Sequence, residues 1–225
     1  MKKIINILLI TLVPVFLLAS SKIPTLSEIE AKIPANNSSK GLKWEKGIIS
    51  GEGLAANGHR HGLWKYSYKK NDNLVKLYEG EYRYGVKTGS WKSFDTDGNL
   101  ISKDNYVNNL LQGPCLMYYP SGQVSAQVEY TANMKQGRYL EYYEDGKPKE
   151  ISWYINDMKN GQINYYYPSG NRQFIGLYKN DMKNGKWIYY SNENNKIESQ
   201  GNYENDKKVG AWTYIKDGVT TTEQH

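Results

Sequence analysis

The chain has 225 residues, a formal net charge of +6 and a single cysteine. One thiol excludes an internal disulfide framework. Charges scattered singly and in mixed pairs, with no lysine–arginine block to track a phosphate backbone, argue against a nucleic-acid partner.

The first element is an apolar block from Ile4 to Leu18, preceded by Met1-Lys2-Lys3 and followed by Ala19-Ser20-Ser21. That order of basic, apolar and small residues predicts a secretory signal peptide over residues 1–21, with Lys22 opening the mature chain. A membrane anchor is the alternative, but the block is short of the ~20 residues that span a bilayer, and Pro14 interrupts it. No cysteine follows it, which argues against a lipid-anchored lipoprotein. The expectation is an exported protein, whether periplasmic, on the cell surface or secreted. Removing Lys2 and Lys3 from the 29 basic residues leaves 27 against 23 acidic ones, a net charge of +4.

Residues 22–43 read as a linker, with Pro24, Pro34 and the polar run Asn36-Asn37-Ser38-Ser39. Leu26, Ile29 and Ile33 allow a helical turn or two within it. Trp44 is expected to begin the ordered part, and Ile49 to Leu54 looks like half a repeat acting as a cap.

From there one phrase recurs, clearest in Tyr178-Lys-Asn-Asp-Met-Lys-Asn-Gly-Lys-Trp-Ile-Tyr-Tyr190. Its glycine returns as Gly62, Gly89, Gly113, Gly137, Gly161, Gly185 and Gly210, at intervals of 27, 24, 24, 24, 24 and 25 residues. A period that regular is the signature of a repeat array. Two residues after this anchor glycine stand Trp64, Trp91, Cys115, Tyr139, Ile163, Trp187 and Trp212, side chains suited to a pleated, partly buried surface. Cys115 reads here as a small core residue and not a catalytic thiol, since no histidine accompanies it. Five residues after the anchor come Ser67, Phe94, Tyr118, Tyr142, Tyr166, Tyr190 and Ile215. Odd and even offsets lie on opposite faces of a strand, so both faces carry aromatics.

Nine residues after the anchor, Gly98, Gly122, Gly146 and Gly170, with Asn71 and Asn194 in two other repeats, predict hairpin turns that need positive φ. The return strand closes on Tyr82, Tyr106, Tyr130, Tyr154, Tyr178 and Tyr203. A second glycine in Gly80-Glu-Tyr82, Gly176-Leu-Tyr178 and Gly201-Asn-Tyr203 marks where a neighbouring side chain lies over the backbone. A turn such as Asn156-Asp157 then leads to the next anchor. Repeat one is three residues longer, so its hairpin loop around residues 69–73 should protrude, and residues 220–225 read as a polar tail. The predicted fold is all-β: residues 44–219 form an elongated single-layer antiparallel meander of about seven β-hairpin repeats of ~24 residues.

The sequence Asn-Asp-x-Lys-x-Gly-x-Trp-x-Tyr-Tyr, followed by Pro-Ser-Gly or Asp-Gly and a strand ending in Gly-x-Tyr, resembles the MORN repeat. It is most similar to the bacterial variant found in exported proteins and in those catalogued as YwqK-like antitoxins. The resemblance covers residues 47–216 and implies an antiparallel β array serving as a scaffold, a protein-binding surface or a phospholipid-binding surface. Repeats three to five depart from it by lacking tryptophan two residues after the anchor.

The search for chemistry gives little. His59 and His61 flank Arg60, but two such ligands without a carboxylate or thiolate fall short of a metal site. The carboxylates Glu79 and Glu81, Asp95 and Asp97, and Glu141 with Glu144 and Asp145 belong to strands and turns, where they hold water and cap loops. No nucleophile–histidine set and no phosphate loop occur, so the expectation is no enzyme, no cofactor and no metal. The candidate surface is the row Tyr118, Tyr142, Tyr166 and Tyr190, one residue per repeat along the sheet. Such a row either braces the sheet or buries part of a partner. The function expected is an exported, non-catalytic scaffold that binds a protein through this aromatic face. The alternative is a peripheral envelope module for lipid or surface polysaccharide.

Overall fold

The structure, a computed structural model, describes residues 25–31, 42–46 and 49–225, with the backbone alone for 42–46. The expected signal peptide and most of the expected linker lie outside the described residues. Residues 25–31 hold one short helix, α1 (Leu26–Glu30), closed at its start by a capping box. The Glu28 N–H donates to Thr25 Oγ1, and the Thr25 N–H donates to Glu28 Oε2.

All else described is one 18-stranded sheet. Its strands are β1 (Leu42–Lys46), β2 (Ile49–Ala56), β3 (His59–Lys70), β4 (Asn73–Arg83), β5 (Val86–Phe94) and β6 (Leu100–Val107). Then follow β7 (Leu110–Leu111), β8 (Gly113–Tyr118), β9 (Val124–Thr131), β10 (Met134–Tyr142), β11 (Pro148–Ile155) and β12 (Met158–Lys159). The series ends with β13 (Gly161–Tyr166), β14 (Arg172–Lys179), β15 (Met182–Tyr190), β16 (Ile197–Glu204), β17 (Lys207–Lys216) and β18 (Val219–Gln224). Every pairing is antiparallel and between neighbours in the chain, save β6–β8 and β11–β13, which pass over the two-residue strands β7 and β12. This is the predicted open meander of seven hairpins, with β1 and β2 added in front and two strands each split in two.

Several expectations need correction. Residues 220–225 are polar and exposed but are no free tail: β18 pairs with β17 from Lys216↔Val219 to Ala211↔Gln224, completing the seventh repeat. The first strand also starts at Leu42, so the linker ends earlier than the expected boundary at 43. The extra residues of repeat one make no loop. Asn71 and Asp72 both take positive φ (48° and 65°), which closes a two-residue turn and lets Lys69↔Leu74 and Lys70↔Asn73 lengthen the ladder. In the last-but-one hairpin the positive φ falls on Asn195 and not Asn194, whose side chain instead accepts the N–H of Lys196.

The anchor glycine also has a different place from the one the period implies. The turn before it is closed by two positive-φ residues, such as Asn180 (51°) and Asp181 (64°), and the strand restarts at Met182. Gly185, at φ 67°, then sits inside β15 where the register against β14 shifts between Ile175 and Leu177. The glycine therefore makes a β-bulge. The bulge detaches a carbonyl of the preceding strand, and the repeat tryptophan captures it: Trp64, Trp91, Trp187 and Trp212 donate their indole N–H to the carbonyls of Leu54, Glu81, Leu177 and Asn202 at 2.7–3.2 Å. Where cysteine or isoleucine replaces tryptophan, backbone does this work. Gln112 N–H donates to Asn105 and Asn160 N–H to Trp153, and these are the two places where the strand is interrupted.

The second glycine exists for the indole. A Cβ on Gly53, Gly80, Gly176 or Gly201 would stand 2.1–2.5 Å from the ring of Trp64, Trp91, Trp187 or Trp212, eleven residues on. Those four rings are at most 2 % exposed. The three repeats without tryptophan carry Asp104, Val128 and Ser152 at the glycine position, opposite Cys115, Tyr139 and Ile163. Volume is thus traded between two strands, large against none or small against medium, which holds the packing of a single layer.

Consecutive hairpins are also joined at the rim. The N–H of Asp157, Asp181 and Asp206 donates to the carbonyl of Lys135, Lys159 and Lys183 in the repeat before. The same aspartates' Oδ1 accepts the N–H of those lysines at 2.7 Å.

Candidate interaction surface

The bulges and turns sort the side chains onto two faces. On one, the indole face, stand the tryptophans, the return-strand tyrosines and the residue two before each anchor. Trp187 meets Tyr178 and Tyr203 edge-on, at 5.3 and 5.7 Å between centroids. Tyr165 stacks on Phe174 at 5.0 Å. Lysine stems lie over these rings, with Lys183 Nζ 4.6 Å from the Trp187 centroid and Lys208 Nζ 4.5 Å from that of Trp212.

Midway along, this face turns polar. Glu141 is directly opposite Glu150, and each carboxylate is neutralised by its own lysine, Lys149 and Lys159, at 2.6 Å. Ser152 Oγ donates to Glu150, also at 2.6 Å. Burial, with these carboxylates nearby, drives the Tyr139 and Tyr154 hydroxyls far above the usual tyrosine range. Two repeats earlier the Ser102 hydroxyl donates to Asp104, whose carboxyl burial holds above its ordinary value. Burial likewise pushes the Cys115 thiol up to about 12, which leaves it protonated and unreactive.

The remaining sequence candidates are taken up by local structure. His61 packs on Tyr84 at 4.6 Å and accepts its N–H. Glu79 pairs with Lys76 and Lys92, Asp95 caps the turn to Asn99, and Asp97 meets Lys70. Among the described residues no group of three or more His, Cys, Asp or Glu is placed to hold a metal ion.

The row Tyr118, Tyr142, Tyr166 and Tyr190 falls on the opposite face, each residue closing its strand across from Val124, Pro148, Arg172 and Ile197. All four are half-buried. The carbonyls of Tyr142, Tyr166 and Tyr190 accept the hydroxyls of Tyr119, Tyr143 and Tyr167 from the repeat before, at 2.7, 2.6 and 3.2 Å. The row's backbone is thus braced while its rings keep an accessible side.

Beside the row lies a surface the sequence reading passed over. Trp153 (47 % exposed), Ile155, Leu177, Met158 and Met182 are large apolar side chains open to solvent. Their registers, Ile155↔Met158, Arg138↔Trp153, Gln162↔Leu177 and Lys179↔Met182, put them on the tyrosine-row face. Leu140, Ile151, Ile175 and Ile188 continue it toward the tyrosines. The charges on this stretch include Arg138, Lys179, Lys186 and Arg172, the last over the Tyr190 ring, with Glu129 on the same face beside Gly137. Its other carboxylates lie on the indole face (Glu141, Glu150) or in turns (Glu144, Asp145, Asp157, Asp181). Comparison between repeats could have found it. The position of Trp153 and Leu177 is Glu81, Asn105, Glu129 and Asn202 in the other repeats, with Leu54 in the half repeat before them.

Four segments, residues 87–108, 111–132, 135–156 and 159–180, each match the family described as MORN repeat variant. No curated protein matches the chain. Among solved structures, a porin-like protein from Bacteroides uniformis aligns with 84 % of this chain and 96 % of its own, at 13 % identity and a TM-score of 0.21.

Proposed function

The chain is built on tandem MORN repeat variants, and from that premise we propose that it is a non-catalytic binding module, exported from the cytoplasm, that holds a protein partner on its tyrosine-row face. The observation that carries this reading is the exposed group of Trp153, Ile155, Leu177, Met158 and Met182 beside Tyr142, Tyr166 and Tyr190. Side chains that the fold needs recur in every repeat and are buried. These apolar groups stand in water and are densest in the middle repeats, where Trp153, Ile155 and Leu177 add to positions that are also apolar and exposed elsewhere (Leu54, Val107, Leu110, Met134). A contiguous apolar patch marks an interaction site. Tyrosine and tryptophan supply contact area at low entropic cost, and Arg138, Lys179 and Lys186 at the margin favour a partner with acidic groups there.

The test is capture from the native envelope by wild type, by Trp153→Ser/Leu177→Ser, and by a variant with Tyr118, Tyr142, Tyr166 and Tyr190 all changed to Ser. Each variant is first checked for an unchanged circular dichroism spectrum. A single protein retained by wild type, lost by both variants and able to pull the chain down in return supports the reading. Identical capture by all three would refute it.

A further inference from the structure

We propose that the indole face carries a second, independent site: a ladder of lysines and tyrosines that binds a linear anionic glycan with one carboxylate per disaccharide. Cross-strand pairs Tyr130↔Lys135, Tyr154↔Lys159, Tyr178↔Lys183 and Tyr203↔Lys208 recur once per repeat along one rim of that face. Each of the first three lysines reaches forward to the tyrosine of the next repeat. Lys135 Nζ lies 5.1 Å from the Tyr154 ring, Lys159 Nζ 5.7 Å from Tyr178 and Lys183 Nζ 5.0 Å from Tyr203. The result is an alternating line of ammonium groups and phenols, Tyr130 to Lys208, broken one repeat earlier where Leu111 replaces the lysine.

Ring contact holds an ammonium group in place without cancelling its charge. Glu150 neutralises Lys159, whereas the hydrogen bonds of Lys183 and Lys208 run to the neutral hydroxyls of Tyr189 and Tyr214. The lysines are only part-buried, so the charges of Lys135, Lys183 and Lys208 face solvent, two repeats and then one repeat apart, on a ladder whose spacing is set by the repeat. One repeat is two strands, so that spacing is about 9.6 Å. It is close to the length of a disaccharide in an extended β-linked chain. Phosphates in a nucleic-acid strand recur far more densely, one per ~3.4 Å of duplex axis, and would leave most of their charge unmatched. The phenol hydroxyls between the lysines supply donors and acceptors for sugar hydroxyls.

The experiment titrates the full chain with hyaluronan tetra-, octa- and dodecasaccharides by calorimetry. A chitin octasaccharide serves as neutral control, with oligothymidylate and polyglutamate of matched charge number as competitors. The expected result is an affinity that climbs about tenfold or more from tetra- to dodecasaccharide as further lysines engage, weakens with salt and is absent for the chitin oligomer. Lys135→Gln/Lys183→Gln/Lys208→Gln should lose at least tenfold, and the corresponding arginine triple variant should keep binding. Trp153→Ser/Leu177→Ser, on the other face, should bind hyaluronan like wild type, so this site stands or falls apart from the protein-binding one. No binding by wild type, no gain with length, or equal displacement by oligothymidylate or polyglutamate would overturn the proposal without recourse to any variant. Undiminished binding by a folded glutamine variant would overturn it as well.

Discussion

Gly176 and Trp187 should be replaceable only as a pair. Trp187 is fully buried, and an indole of that kind removes ~150–250 Å² from water. At ~25 cal/mol per Å² this is worth about 4–6 kcal/mol. Isoleucine keeps roughly half of that, and the bond from the indole to the Leu177 carbonyl adds ~1 kcal/mol to the loss. Trp187→Ile alone is therefore expected to cost about 3 kcal/mol. Gly176→Ser alone drives a Cβ to 2.3 Å from the ring and should cost ~3 kcal/mol by expelling it. The double variant recreates Ser152 opposite Ile163, a pair this sheet already packs with both residues at 2 % exposure. It should cost about 3 kcal/mol instead of the additive ~6, a coupling near 3 kcal/mol. Urea unfolding followed by far-ultraviolet circular dichroism measures all four corners of the cycle. Hydrogen exchange should place the single-variant losses in β13–β16, since a repeat rests mainly on its neighbours. Additivity within ~0.5 kcal/mol would refute the idea that glycine is there to make room for the ring.

Three further outcomes are expected. Gly122 has φ 85° and nothing within 4 Å of an added Cβ, so Gly122→Val should lose ~1–2 kcal/mol through backbone strain alone; an unchanged melting temperature would remove the turn assignment. Burial raises the Asp104 carboxyl above its ordinary 3.8, so the folded chain holds a proton there that the unfolded chain has already released. The associated stability is complete below pH 3.8 and is lost as pH rises through the raised value; Asp104→Asn should gain on wild type across that window, and parallel pH–stability curves would contradict it. Cys115, buried and with its thiol at about 12, should resist Ellman's reagent at pH near 8 until the sheet unfolds, and rapid native labelling would refute its placement in the core.

The period was legible because turn chemistry and strand chemistry repeat in step: positive-φ residues at Gly98, Gly122, Gly146 and Gly170, and large residues such as Trp91 and Trp187 between them. Parity of offset also separated the faces correctly, setting Tyr190 opposite Trp187. What stayed hidden depends on register, which a list of residues does not contain. Gly185 reads as the end of a turn until Leu177↔Asn184 shows a bulge there. The glycine of Gly176-Leu-Tyr178 announced a close approach, but the partner, Trp187, emerged only with the strands paired. The polar segment Val219–Gln224 lacked the aromatic pattern because it closes the last hairpin and buries nothing, so backbone bonds alone make it a strand. Of the candidate surface, the tyrosine row was visible because it is periodic. Trp153 and Leu177 were not, because their position is polar in most repeats.

The rim aspartates that lock each hairpin to the one before it have a mechanical consequence. Strands lie crosswise to the direction in which repeats accumulate, so tension along that direction loads the inter-strand bonds one strand at a time, as in a zipper, and never all together in shear. Yielding should proceed in steps of one 24-residue hairpin. Each step must break one Asp157-, Asp181- or Asp206-type clasp before its ladder opens, so under tension the array should lengthen in equal increments.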